Sequence, residues 1–442
     1  MRFTEIQNTQ KSIASVLIKF SIPLILSGVL QQLYNWADAF IVGNVEGELA
    51  LAAIGATGTV INFYLMAITG FTLGLSILFA RKAGSGDTGF ISKILSTYSI
   101  LLGIVFVLLA AAGIWLTPPI LHLMHTTQNT VHLAEDYLQI IFAGIPFLAV
   151  YNVYSAALRG IGDSRAPFLA VLVSSVINVL LDILFVAVLH LGVGGAAGAT
   201  VISQAAMTTF LIVYAVITHS KLRFRFKQAI HRKALLQGLR LGFPPMIQSS
   251  VSAFGSLLLQ NFMNGFGTQT VAAITTAYRV DTIILLPIIN LGSGISTIVA
   301  QSHGAGKIKE TQRIFASGTA IMTAVSLFLT LLVIPTGGRL ISMFGVGKDA
   351  AEIGQDFFQR IACFYLIYGL ATALRGYLEG IGHLLYSSIA GIASLVFRIF
   401  ASYTMAALFH NMVIAYAEGF SWGILLLLYL IRLMQKRRPK DK

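Results

Sequence analysis

The chain has 442 residues, of which 56% are hydrophobic and only 11% are charged, and its formal net charge is +13. Its mean hydropathy is +0.81. A water-soluble protein needs about a quarter of its residues charged to keep its surface solvated. The composition therefore excludes a soluble globular protein and indicates one that crosses a membrane many times.

Apolar stretches long enough to cross a bilayer as helices, which takes about 20 residues, recur along the whole chain. We predict an all-α polytopic membrane protein with twelve transmembrane helices, near residues 13–42, 50–80, 92–116, 131–158, 166–189, 193–218, 234–264, 271–300, 312–335, 352–378, 385–409 and 411–434. Pro23 and Pro244 lie inside the first and seventh of these segments. Because proline interrupts the backbone hydrogen bonds of a helix but is tolerated in membranes, both positions predict helix hinges.

The basic residues gather in alternate connections between the predicted helices. The central connection, for example, contains Lys221, Arg223, Arg225 and Lys227, whereas the outer connections carry acidic residues such as Glu46 and Asp136. This is the positive-inside pattern of membrane proteins. It predicts a plasma membrane protein, in a bacterium the inner membrane, with both termini in the cytoplasm, and it argues against a nucleic-acid partner.

An internal repeat divides the chain into two similar halves. Leu158, Gly160, Ile161 and Gly162 recur at a spacing of 220 as Leu378, Gly380, Ile381 and Gly382. We predict a six-helix lobe at 1–218, a cytoplasmic linker at 219–233 and a second six-helix lobe at 234–442. Two parallel, pseudo-symmetric lobes around a central cleft are the architecture of a carrier that opens alternately to either side.

Residues of the kinds that perform catalysis do not form a recognisable pattern. The nine histidines are scattered, the one cysteine is Cys363, and no glycine-lysine-serine phosphate loop occurs. We expect a protein that is not an enzyme, that has no cofactor and that does not use ATP.

Acidic residues inside membrane helices are costly and therefore point to function. Asp38 lies in the first predicted helix and Asp182 in the fifth, where Asn178 precedes Asp182 by one helical turn on the same face. Ala196 and Thr200 repeat this spacing on the sixth helix. Carboxylate, amide, hydroxyl and carbonyl oxygens are the ligands of hard cations, and two neighbouring carboxylates need a cation or a proton between them. These five residues predict a cation-coupling site for Na⁺ or H⁺.

The second half does not repeat this site. At the spacing of 220, Asn178 becomes Arg398 and Asp182 becomes Ser402. Arg279 and Asp281 lie on the eighth helix but, two residues apart, do not face each other. We expect Arg279, Asp281 and Arg398 to form an ion pair, a gate or a substrate contact, with Arg398 a candidate partner of Asp281. A carboxylate-driven mechanism is not expected in this lobe.

Several motifs are specific to one family of carriers. They are Asn35-Trp36-Ala37-Asp38 and Ile41-Val42-Gly43 in the first half, and Leu286-Pro287-Ile288 and Ala300-Gln301-Ser302-His303-Gly304 in the second. Through them the chain resembles the multidrug and toxic compound extrusion family over essentially its whole length. The resemblance implies efflux of organic, mostly cationic compounds driven by inward flow of Na⁺ or H⁺. It also implies that Asp38, Asn178, Asp182, Ala196 and Thr200 form the family's amino-terminal cation site.

The substrate surface is predicted from the attraction of organic cations to aromatic rings. The candidates are Tyr34, Tyr64, Tyr151, Tyr154, Phe254 and Tyr278.

The alternative function is a flippase of lipid-linked precursors from the same superfamily, which commonly has additional helices and a strongly cationic cleft. A membrane enzyme or channel ranks third. We expect a monomer whose partners are small organic molecules and membrane lipid.

Overall fold

The structure is a computed structural model that describes residues 10–124, 126–220, 222–344 and 347–437. Lys221 and the basic residues from 438 onward, which contribute to the predicted orientation, lie outside this part of the chain. Regular secondary structure in the described residues is entirely helical. This confirms the predicted all-α class.

The first half of the chain contains six long helices joined by short turns. They are α1 Gln10–Val45, α2 Glu48–Gly84, α3 Thr88–Leu123, α4 Val131–Gly160, α5 Arg165–Asp182 and α6 Gly192–Thr218. A π-helix, Ile183–Val188, continues α5 directly. These helices correspond to the first six predicted segments.

The second half contains nine helices because three of its predicted segments are interrupted. They are α7 Arg232–Asn264, α8 Thr268–Ile284, α9 Leu286–Gly304, α10 Ile308–Ser342, α11 Lys348–Ile361, α12 Tyr365–Gly380, α13 Leu384–Thr404, α14 Ala406–Phe409 and α15 Val413–Arg437. Helices α8 and α9 form one predicted segment bent by 41°. The segment 352–378 is interrupted by a turn of 3₁₀-helix, Ala362–Phe364, and the segment 385–409 is interrupted at Met405, between α13 and α14. A second turn of 3₁₀-helix, His410–Met412, separates α14 from α15.

Length and hydropathy identify ten helices of the described chain as able to cross a membrane, and eleven if α8 and α9 count as one span. Helix α7 is not among them, although it is 33 residues long. Its sequence includes Gln248, Ser249, Ser250 and Ser252, which lower its hydropathy. With α7 the helices account for all twelve predicted segments.

The chain packs as two compact units whose boundaries fall inside helices. The amino-terminal unit is Leu26–Met246, and the carboxy-terminal unit combines the residues up to Ile25 with those from Ile247 onward. Both boundaries fall two residues after a proline, Pro23 in α1 and Pro244 in α7. The halves of α1 and α7 are thus exchanged between the units. The lobe limits predicted at residues 218 and 234 do not anticipate this exchange, and the hinge roles of both prolines stay predictions.

The repeated glycine motif has the same packing role in both units. A Cβ atom on Gly160 would lie 2.4 Å from Cβ of Phe79, and one on Gly380 would lie 2.5 Å from Cγ1 of Val299. Only glycine permits helices to approach this closely. Two residues later the chain turns with a positive φ, 97° at Gly162 and 100° at Gly382, which glycine adopts at little cost. The repeat therefore encodes a helix contact followed by a turn.

Candidate functional site: a buried acidic cluster

Asp38, Asn178 and Asp182 form what we call the amino-terminal polar cluster. Asp38 lies on the part of α1 that belongs to the amino-terminal unit, and the other two lie on the last turns of α5. Asn178 and Asp182 are completely buried, with exposed fractions of 1% and 0%, and Asp38 is partly buried. The one-turn spacing predicted from the sequence thus places an amide and a carboxylate side by side in the protein interior.

The polar atoms of this cluster lack partners. Both carboxylate oxygens of Asp182, both amide atoms of Asn178 and Oδ1 of Asp38 are buried and accept or donate no hydrogen bond among the described residues. Each such group loses its hydration without compensation, at a cost of about 1–3 kcal/mol and more for a charged one. Native proteins rarely leave several together. A cation or proton between these oxygens would satisfy them, so the donor set fits Na⁺ or H⁺.

Asp38 and Asp182 lie close enough to repel each other electrostatically. Tyr137, on α4, lies within electrostatic range of both carboxylates. It is almost fully buried, with 6% exposed. Tyr137 is not among the residues predicted from the sequence, because a tyrosine directly after Glu135 and Asp136 has the pattern of an interfacial residue. Its position next to Asp38 and Asp182 depends on the packing of distant helices.

Helix α6 is held against α5 beside the cluster. The hydroxyl of Ser174 donates a hydrogen bond of 3.1 Å to the carbonyl of Ser203, whose own hydroxyl donates one of 2.8 Å to the carbonyl of Thr200. Ala196 is fully buried, whereas Thr200 is partly exposed. The structure therefore brings the α5 and α6 candidates onto packed neighbouring helices. Their role as cation ligands stays a prediction.

An apolar shell packs around Tyr137 and Ala196. Its buried members are Val42, Ala50, Ile141, Val186, Val193 and Ala197. Apolar walls lower the local dielectric and strengthen every electrostatic interaction that they enclose. An ion that enters this cluster therefore interacts strongly with the two carboxylates.

The backbone after Asp182 is irregular. The π-helix Ile183–Val188 follows, and His190 and Gly192 have positive φ angles of 52° and 63° before α6 begins. Gly195 packs beneath this turn, where an added Cβ would lie 2.9 Å from Cβ of Leu191 and 3.3 Å from the carbonyl oxygen of Phe185. π-helical turns are frequent at functional sites. The sequence analysis predicted a regular helix here.

The carboxy-terminal unit contains a different arrangement, which we call the carboxy-terminal polar network: Tyr278, Asp281, Tyr365, Arg398 and Glu418. Arg398 forms a 2.8 Å ion pair with Glu418 and donates a 2.7 Å hydrogen bond to the Tyr278 hydroxyl. Tyr278 in turn donates to Glu418 at 3.0 Å. The hydroxyl of Tyr365 donates to Oδ1 of Asp281.

This network corrects one pairing expected from the sequence. The direct partner of Arg398 is Glu418 on α15, which the sequence analysis missed, and Asp281 is hydrogen-bonded by Tyr365. Arg398 and Asp281 remain within electrostatic range. Arg279 is exposed and forms no ion pair with any described residue. The ionic contact therefore joins α13 to α15 rather than to α8.

The predicted substrate aromatics fall into several environments. Tyr34 lies within electrostatic range of Asp38 and therefore adjoins the amino-terminal polar cluster, and Tyr151 lies within electrostatic range of Tyr34. Tyr154 is buried, Tyr64 stacks edge to face on Phe142, and Phe254 is 61% exposed on α7. Tyr278 belongs to the carboxy-terminal polar network. The substrate role of all six stays a prediction.

Comparison with known families gives a match in both halves of the chain. A family model described as MatE matches residues 23–184 and, a second time, residues 244–404. The repeated unit found from the glycine motifs is thus the unit of this family.

Relatives that are named as drug exporters or resistance proteins align with the chain over most of their length. The chain is 29% identical over 386 residues to the probable multidrug resistance protein YpnP of Bacillus subtilis, covering 87% of this chain and 86% of that protein. It is 23% identical over 447 residues to the multidrug export protein MepA of Staphylococcus haemolyticus, covering 98% and 96%.

Solved structures share the fold. An outward-facing multidrug resistance MATE family transporter of the MOP superfamily has a TM-score of 0.88 at 21% identity and covers 97% of this chain and 96% of its own. A MOP superfamily transporter from Pyrococcus furiosus has a TM-score of 0.89 at 21% identity, with 98% of each chain covered. With the family model matching both halves, the chain belongs to the multidrug and toxic compound extrusion family of membrane transporters.

Proposed function

We propose that the protein exports organic, mostly cationic compounds across the plasma membrane in exchange for inward-moving Na⁺ or H⁺, with the amino-terminal polar cluster as the coupling site. Family membership supports the transporter class, and the names of the relatives, multidrug export and multidrug resistance proteins, support the substrate class. A lipid-linked precursor is less favoured, since these relatives carry drug-export names.

One observation supports the coupling site: both oxygens of Asp182, both amide atoms of Asn178 and Oδ1 of Asp38 are buried and form no hydrogen bond with any described residue. An empty cluster is costly because its charges repel in a medium of low dielectric, and a bound cation removes that cost. Because Asn178 and Asp182 are completely buried, ion binding from outside and release to the cytoplasm would each require a change in access. This requirement links ion movement to alternating access of the substrate site.

Tyr34 and Tyr151 are the aromatic residues best placed for an organic cation. Tyr34 lies within electrostatic range of both Asp38 and Tyr151, and aromatic rings attract desolvated cations by about 2 kcal/mol. A cationic substrate near Asp38 would compete with the coupling ion for the same negative charge. Such competition is the simplest physical basis for exchange of one for the other.

Transport into inverted membrane vesicles tests this proposal. Wild type is compared with Asp38→Asn and Asp182→Asn, and Glu48→Gln serves as the control because Glu48 is an exposed acid on α2. We expect ion-driven uptake of a fluorescent organic cation by wild type and the control, and uptake near background in both cluster variants at equal protein levels. Undiminished ion-driven uptake in the two variants would exclude the cluster as the coupling site.

A further inference from the structure

The carboxy-terminal polar network contains one more buried acid than buried base. Glu418 is matched by Arg398 at 2.8 Å. On the neighbouring α12, Arg375 is already matched by Glu379 at 2.7 Å. Among the side chains that the structure describes, Asp281 receives a hydrogen bond only from the neutral hydroxyl of Tyr365. Buried charges are normally paired, so this network lacks one positive charge.

The surroundings of Asp281 are closely packed. Its exposed fraction is 3%, that of its hydrogen-bond donor Tyr365 is 0%, and that of Trp422, next to Tyr365, is 7%. The rings of Tyr365 and Trp422 are 6.4 Å apart, and those of Tyr368 and Trp422 are 4.6 Å apart. A proton adds no volume, whereas Na⁺ would need several oxygen ligands at bonding distance. The enclosure therefore favours a proton as the missing charge.

The groups that act on the Asp281 carboxylate come from four helices. Tyr278 lies one turn earlier on α8 itself, Arg398 lies on α13 and Glu418 on α15. From α12, Tyr365 contacts the carboxylate directly and Tyr368 lies within electrostatic range. Arg398 is the one cation among them, and it is bound to Glu418 and Tyr278.

We infer that the Asp281 carboxylate binds and releases one proton during each transport cycle, so that the carboxy-terminal unit contains a second coupling site besides the amino-terminal polar cluster. On protonation the carboxylate becomes a neutral acid, and the network, with its remaining Glu418 and Arg398 pair, becomes electrically neutral. On release the carboxylate regains its negative charge and its strong hydrogen bond from Tyr365. Charge on Asp281 therefore strengthens the contact between α8 and α12, and its loss weakens that contact.

This inference rests on the proposed exchange of substrate for ions, and it predicts the number of protons moved. The measurement uses proteoliposomes with a fixed pH gradient and a fixed substrate gradient. The membrane potential at which net substrate transport stops gives the number of protons moved per substrate. We expect Asp281→Asn to export substrate with one proton fewer per cycle than wild type. The control, Asp349→Asn, removes an exposed acid of the same unit and should leave the number unchanged.

Two results of this measurement would overturn the inference: an equal proton count in Asp281→Asn and wild type, or export by wild type without proton movement. Failure of wild type to export any organic cation would instead refute the proposed function, so the two failures are distinguishable.

A second variant covers the case in which Asp281→Asn does not fold. Tyr365→Phe keeps the carboxylate and removes only the hydroxyl that donates to it. Because a hydrogen bond to a carboxylate favours its charged form, we expect the pH of half-maximal export to move upward in this variant. A pH profile identical to that of wild type would overturn the inference.

Discussion

Asp182 in the first repeat and Asp281 in the second are both fully enclosed in membrane helices, yet their surroundings differ. Both oxygens of Asp182 form no hydrogen bond within the described part of the chain, and another carboxylate, Asp38, lies within electrostatic range. Asp281 accepts a hydrogen bond from Tyr365 and lies in a network that contains the Arg398 and Glu418 ion pair.

The difference separates two ways of keeping an acid inside a membrane protein. A hydrogen bond from the protein offsets part of the cost of burying a carboxylate, whereas carboxylates without such bonds depend on a cation or proton for the whole of that compensation. The amino-terminal polar cluster is thus suited to an exchangeable cation. The carboxy-terminal polar network is suited to a single proton, whose binding and release change the strength of the hydrogen bond between Tyr365 and Asp281. Four experiments, described from the largest expected effect to the smallest, test whether the two units differ in this way.

The largest effect is expected from Glu418→Ala, which leaves the Arg398 guanidinium without its carboxylate. Removal of one partner of a buried ion pair costs about 3–5 kcal/mol. We expect this decrease in the free energy of unfolding of the purified protein in detergent. The double variant Glu418→Leu with Arg398→Met is the control, since it removes both charges and should recover most of the loss. Equal stability of Glu418→Ala and wild type would show that the pair is not structural.

The amino-terminal polar cluster should respond to its ion instead. An ion present at 100 times its dissociation constant stabilises the folded state by about 2.7 kcal/mol. We expect Na⁺ titration at fixed pH, or acid titration at fixed Na⁺, to raise the unfolding temperature of wild type and of Glu48→Gln but not that of Asp182→Asn. The effective titration identifies the coupling ion. A response of the same size in Asp182→Asn would contradict an ion site at this cluster.

Gly195 and Gly198, near the start of α6, differ in how closely other atoms approach them, so they form a matched pair for substitution. Gly195→Ala should destabilise the protein by about 1–3 kcal/mol, the usual cost of overpacking, because the new methyl group would meet Leu191 and Phe185. Gly198→Ala, three residues later, meets no atom within 4 Å and should be neutral or slightly stabilising. Thermal unfolding of both variants measures the difference. Equal unfolding temperatures would mean that the π-helical turn is not tightly packed against α6.

The smallest effect concerns Asp163, which lies in the turn after α4, outside the membrane helices. Burial opposes ionisation of its carboxyl. Hydrogen bonds from His219, at 3.0 Å, and from the backbone N–H groups of Ala166 and Arg165 outweigh burial and lower the pKa of Asp163 below its usual value. We expect Asp163→Asn to cost about 1 kcal/mol at neutral pH, the usual contribution of a hydrogen bond.

The direction of the Asp163 pKa shift determines the pH range in which wild type and Asp163→Asn differ in stability. A carboxyl whose pKa is lower in the folded state stabilises the protein above its unfolded pKa of about 3.9, and the stabilisation disappears as the pH falls through the lower, folded value. The difference between wild type and Asp163→Asn should therefore shrink only in acid. Asp356→Asn, in an exposed pair with Arg360, is the control and should change stability by less than about 0.5 kcal/mol. A difference that persists in strong acid would contradict this account.

The sequence by itself determined the helical class, the two repeats and the two acids of the amino-terminal polar cluster. Hydropathy over about 20 residues indicates a helix that crosses the lipid, and the spacing of 220 indicates a duplicated unit. The one-turn spacing of Asn178 and Asp182 places both side chains on one face of a helix. Each of these signals is local or periodic, and it can be read without knowing which helices pack together.

Only the tertiary structure decided which distant side chains meet. Glu418 lies 20 residues after its partner Arg398 and Tyr365 lies 84 residues after Asp281, separations that no local spacing rule relates. The same holds for Tyr137 beside the acidic cluster and for the exchange of helix halves after Pro23 and Pro244. Such pairings follow from how whole helices pack, because side chains on neighbouring helices come together only when the helices' glycine contacts and apolar faces have fixed their relative positions.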